Sequence, residues 1–95
     1  MFYFRRVVGK SMHPTLREGQ VVLVFMSRYL RVGDVVVAFM DQREVVKRIT
    51  KMRDGTVFLE GDNRKESTDS KTHGWLPDRH ILGRVIFPLV AKHLK

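Results

Sequence analysis

The sequence predicts an all-β protein, a small single-domain barrel or sandwich of coiled sheets, and three observations carry that prediction. Short apolar runs rich in valine and isoleucine recur along the chain. Turn signals built on Gly, Asp and Pro separate them at intervals of roughly eight to twelve residues, the rhythm of short antiparallel strands. The whole has 95 residues, enough for one modest core, so residues 1–95 are expected to form one domain. There is no internal repeat, linker or low-complexity stretch.

Taken in order, residues 5–9 (RRVVG) read as a short strand running into a turn, where Gly9 lets the backbone approach closely. Residues 11–16 leave that strand through Pro14, and residues 15–18 are expected to make one helical turn. Residues 21–26 (VVLVFM) are apolar throughout and read as a strand covered on both faces. Residues 31–34 (RVGD) turn into residues 35–39, a strand rich in β-branched side chains. Residues 41–43 close a hairpin, and residues 44–52 return from it. Side chains alternate along a strand, so Val45, Lys47 and Ile49 share one face. Arg48 is then expected to face solvent. Asp54-Gly55 is a hairpin signal leading into residues 57–60. Residues 61–74 form a long polar loop, residues 77–80 a helical turn, and residues 81–87 the last strand.

Composition narrows the function. The hydrophobic share of 43% with 29% charged residues describes a folded chain, not a disordered one. A net charge of +8 should attract anionic partners. With no cysteine, disulfides, thiolate metal sites and a thiol nucleophile are excluded. His13, His73, His80 and His93 lack ligand spacing, so no metal and no cofactor is expected. No apolar run approaches the roughly 20 residues of a membrane span, and residues 1–4 are too short for a signal-peptide core. The expected location is therefore cytoplasmic. Membrane association is the alternative if the chain is a trimmed or partnered form. The apolar ends, residues 1–4 and 85–91, are expected to finish the core, with contact to a membrane surface or a partner as the other reading.

Chemistry concentrates in three places. Ser11 sits on a shaped turn between Gly9 and Pro14 with its hydroxyl presented, but a serine needs a base to take its proton. Lys47 is the candidate base. A lysine amine, ordinarily near 10.4, must fall by roughly three pH units to be neutral, about 4 kcal/mol, and burial among aliphatic neighbours such as Val45 and Ile49 can supply that. Each residue alone is ambiguous: a serine in a loop and one of many surface lysines would look the same. The third place is the 61–74 loop, long for so small a domain and rich in Asp, Asn and Ser.

These segments resemble the successive boxes of type I signal peptidases, the Ser-Lys endopeptidases: Gly9-x-Ser11-Met12-x-Pro14-Thr15-Leu16, Arg31-x-Gly33-Asp34-Val35-Val36, Val46-Lys47-Arg48, Gly61-Asp62-Asn63-Arg64-x-x-Ser67-x-Asp69-Ser70, and Gly83-Arg84. The resemblance implies the catalytic-core fold of that family, with Ser11 as nucleophile and Lys47 as neutral general base. It implies an oxyanion hole from the Ser11 amide and the group at Gly9, which has no side chain to offer. Ser67 would orient the Lys47 amine, and Asp69 would pair with Lys71 where the family has arginine. Met12 and Pro14 would line the substrate cleft, and Asp62 and Asn63 would set the loop. The implied partner is a protein or peptide substrate with a small residue at the cleavage position. The implied reaction is removal of an amino-terminal leader or propeptide. Without the family's membrane anchor or extra β-domain, and with His73 before Gly74 in place of an aromatic, the chain is most similar to small soluble maturation proteases of nickel-type superoxide dismutase. Two other classes stand against this: a basic β-barrel that stacks nucleic-acid bases on its aromatics, of which only Tyr29 and Trp75 are expected to be free, and a catalytically inactive interaction domain of the same fold. No specific nucleic acid is the expected partner.

Overall fold

A computed structural model describes residues 1–63 and 75–88. Seven strands, β1 (Phe2–Arg6), β2 (Val21–Phe25), β3 (Val35–Met40), β4 (Arg43–Arg53), β5 (Thr56–Glu60), β6 (Leu76–Pro77) and β7 (Ile81–Phe87), form one curled antiparallel sheet in the order β1-β2-β7-β3-β4-β5-β6. The all-β expectation holds. A single 3-10 turn, Asp78–His80, stands where a helical turn was expected.

Two tight hairpins set the registers of the central strands. Asp41 and Gln42 both have positive φ, at 54° and 63°, so the two-residue turn twists the way paired strands do and Met40 lies opposite Arg43. Asp54 and Gly55 repeat the device between Arg53 and Thr56. Strand β3 is the axis of the molecule, with Val35, Val36, Val37 and Ala38 all at 1% exposure or less. Its alternate side chains feed two cores. Val35 and Val37 join Val7, Met12, Leu16, Val22, Val24 and Val85. Val36, Ala38 and Met40 join Ile49, Val57 and Leu59.

Four local expectations are corrected. The first strand is Phe2–Arg6, not residues 5–9, because Val7 turns inward to 3% exposure and exchanges backbone hydrogen bonds with Gly19 and Gln20. Residues 15–18 form no helical turn; the bend comes earlier, where the Leu16 N–H donates to Met12 O. Strand β2 is covered on one face only: Val22 and Val24 are fully buried while Val21 is 46% exposed. The amino-terminal aromatics do not finish the core either. Phe2 and Phe4 lie on an edge strand that buries only the Tyr3 side, so they remain 61% and 66% exposed.

Gly83 marks a close approach within this sheet. A Cβ there would lie 2.5 Å from Val24 Cγ1 and 3.0 Å from the Tyr3 hydroxyl, so only glycine fits where β7 pairs beside β2. The Tyr3 hydroxyl donates to Leu82 O across the same junction at 3.1 Å. Burial pushes the Tyr3 phenol above its ordinary value.

Candidate active site

After β1 the chain rises through Val8 to the turn that carries Ser11, with Gly9 in the left-handed region at φ 81°. Met12 and Leu16 anchor this turn in the first core, at 1% and 0% exposure. From the far end of β5 the Asn63 N–H donates to Ser11 O at 2.7 Å, and its side-chain amide donates to Lys10 O at 3.0 Å. Asn63 therefore holds the serine turn through the two carbonyls that flank the Ser11 Cα, those of Lys10 and of Ser11 itself.

Lys47 lies on β4 opposite Val36 and is 4% exposed. Val45 is half-buried and Ile49 fully buried, the aliphatic surroundings expected of it. Ser11 and Lys47 line the same cleft, a space of about 440 Å³. One wall is Arg5, Arg6 and residues 8–11, the other residues 43–47, with Val37 between them. Each wall includes a strand flank, the end of β1 on one side and the start of β4 on the other. Strand β1 pairs with β2 alone, and β5 pairs with β4 only from Arg48 onward, so the flank of residues 43–46 away from β3 is open among the described residues. An extended peptide laid there would find backbone donors and acceptors on either side.

The neighbouring Arg48 overturns the expectation of a solvent-facing charge. It lies opposite Val35, on the side of the first core, and is 6% exposed. Its Nε and NH2 donate to the two Asp62 carboxylate oxygens at 2.8 Å each, and its NH1 donates to Gly33 O at 2.7 Å. Asp62 also accepts from the Thr15 hydroxyl. One buried ion pair thus ties the Gly33 turn, β4, the end of β5 and the serine turn together, a bidentate geometry that only arginine offers. Alternation along β4 implied this position, but the buried carboxylate that makes it tolerable lies fourteen residues away and no local pattern points to it.

The remaining candidates divide. Gly9 lines the cleft beside Ser11. Asp62 and Asn63 hold the serine turn, and the loop they were expected to set lies largely outside the described residues. Met12, expected at the cleft, is buried in the first core and is not on the cleft wall. Pro14 is exposed and is not on the cleft wall. Ser67, Asp69 and Lys71 lie outside the described residues, as does His73. Trp75, expected to be free, meets Phe58 edge-on at 5.4 Å and carries the Arg53 guanidinium over its ring at 4.6 Å. Sequence reasoning missed the ion pair between Arg5 and Glu44, at 2.7 Å, which joins the two cleft walls.

A family model described as Peptidase S24-like matches residues 1–86. The chain is 32% identical over 111 aligned residues to mitochondrial inner membrane protease subunit 1 of Xenopus tropicalis, covering 85% of this chain and 66% of that protein. It is 46% identical over 37 residues to the probable signal peptidase I-1 of Synechocystis sp., covering 39% of this chain and 19% of that protein. It thus spans just under two thirds of the first relative and about a fifth of the second. Among the described residues no helix is long and apolar enough to cross a membrane.

Proposed function

Because this chain belongs to the Peptidase S24-like family and is type I signal-peptidase-like, we propose that it is a serine endopeptidase working through Ser11 and Lys47. The observation that carries this reading is that a serine hydroxyl on an anchored turn and a lysine at 4% exposure line one cleft between two open strand flanks. The peptide binds extended along those flanks. The neutral Lys47 amine takes the Ser11 proton as the serine oxygen attacks the scissile carbonyl carbon, and the Ser11 amide stabilises the oxyanion. The tetrahedral intermediate collapses, Lys47 returns the proton to the leaving amine, and an acyl-serine remains. Water then attacks the ester as Lys47 takes its proton, and Lys47 passes that proton to the departing Ser11 oxygen, releasing the second product as the acid and restoring both residues.

The substrate class on this reading is a protein whose amino-terminal leader or propeptide ends in a small residue. The propeptide of a nickel-type superoxide dismutase is the first to test, on the strength of the box resemblance alone. Ser11→Ala and Lys47→Ala are expected to abolish cleavage of such a peptide, followed by mass spectrometry, while circular dichroism shows the fold intact. Undiminished cleavage by either variant removes the dyad from the mechanism.

A further inference from the structure

We infer that the cleft selects extended peptides bearing acidic side chains within about four residues of the bond to be cut. This rests on the peptidase reading above and names the substrate class of that same site. The charge of the protein as a whole is +8, but what matters is where it falls. The described residues of the cleft wall include Arg5, Arg6, Lys10 and Arg43, all exposed, against one carboxylate, Glu44. That carboxylate is taken: Arg5 Nε reaches it at 2.7 Å while the Arg5 guanidinium lies over the Tyr3 ring at 4.5 Å. Among the described residues of the wall, Arg6, Lys10 and Arg43 have no carboxylate partner, the Arg6 guanidinium donating instead to Gly19 O at 2.7 Å. Glu18, whose carboxylate accepts from the Gly9 N–H at 3.3 Å, is not on the wall.

The cations also have an order. Lys10 adjoins Ser11, whereas Arg43 and Arg6 stand further back along the two walls. At about 3.3 Å per strand residue, the four residues from Lys47 back to Arg43 span roughly 13 Å, or four positions of an extended substrate. Besides Gly9, Ser11 and Lys47, the rest of the wall is valine, at positions 8, 37, 45 and 46. Charges set in an apolar concavity act on a bound peptide more strongly than the same charges on an open surface. An uncharged peptide gains the backbone ladder alone, and an acidic one gains pairing at the rim as well.

The test uses a host peptide with a small residue at the cleavage position and Asp, Asn or Lys placed singly at each of the four positions on either side. Affinity for Ser11→Ala protein is read by fluorescence anisotropy, and kcat/KM with the unaltered protein. Each well-placed Asp is expected to improve both by roughly two- to fivefold over Asn, the range of exposed ion pairs. Lys should do the reverse. The preference should shrink in Lys10→Gln/Arg43→Gln protein and reverse in Arg43→Glu, with circular dichroism confirming the fold. It should persist in Arg28→Gln/Arg79→Gln, which removes equal charge from a separate depression. Equal affinity for the three peptides, or equal loss of preference in the Arg28/Arg79 variant, overturns the inference and leaves only diffuse surface charge. If the Asn peptide is cut by the unaltered protein and not by Ser11→Ala while the charge series is flat, the peptidase reading stands and this inference falls. If no peptide is cut yet Ser11→Ala prefers the acidic ones in the manner described, the cleft selectivity stands and the catalytic reading falls.

Discussion

Replacing Arg48 by methionine would remove its hydrogen bonds to Asp62 and to Gly33 O and take the Arg48 charge away from the Asp62 carboxylate, which is 5% exposed. Breaking a buried pair from one side costs about 3–5 kcal/mol, against a total stability of roughly 5–15 kcal/mol for a domain. Urea unfolding should therefore show Arg48→Met losing about a fifth or more of the wild-type stability. Arg48→Lys keeps the charge but loses the two-pronged contact, and should fall between the two. A methionine variant as stable as the parent would mean that the pair serves some purpose other than holding the serine turn. Asn63→Ala acts at the same turn by a different route. It removes the side-chain donation to Lys10 O and leaves the Asn63 N–H to Ser11 O bond in place. On the peptidase reading it should lower kcat several-fold with little change in Tm, because it loosens the position of Ser11 more than it weakens the core. A Tm that falls in proportion to activity would assign Asn63 to stability alone.

At the scale of elements, the hairpin between β3 and β4 places Lys47 and is built with one suboptimal residue. Gln42 sits at φ 63°, a conformation that a side chain adopts at some cost and glycine adopts freely. Gln42→Gly converts the turn to the favoured Asp-Gly pair. It should stabilise the protein by about 0.5–1 kcal/mol, the usual size of a compatible turn substitution. Thermal denaturation should then show a higher midpoint, with β4 pairing and cleavage unaltered. An unchanged or lower midpoint would show that the register is held from the cores and not from the turn. The β1–β2–β7 end of the sheet behaves differently: Val22, Val24 and Val85 face the core, while Phe2, Phe4 and Phe87 on the opposite side are more than half exposed. Apolar content alone predicted burial for all of them, whereas an open sheet edge has only one covered face.

For the molecule as a whole, the charge of +8 predicts weak attraction to any polyanion. Binding to single-stranded DNA should be detectable at 50 mM salt and should fall at least about tenfold by 200 mM, as expected of phosphate contacts without base recognition. Fluorescence anisotropy across that range checks it. Tight binding that resists salt and depends on Tyr29, which is 86% exposed, would return the nucleic-acid reading to the front. Trp75 offers little to such a reading, because Phe58 and Arg53 already occupy it. The all-β class, the positions of five of the seven strands and both hairpins were legible in the sequence, because alternation and turn chemistry are local signals, and Ser11 and Lys47, singled out by short motifs, line one cleft. What only the tertiary structure decided was which side of each strand is covered, where Met12 goes, and that Arg48 is buried on Asp62. Those outcomes depend on contacts between segments far apart in the chain, and a charge or a methionine carries no mark of the partner that will cover it.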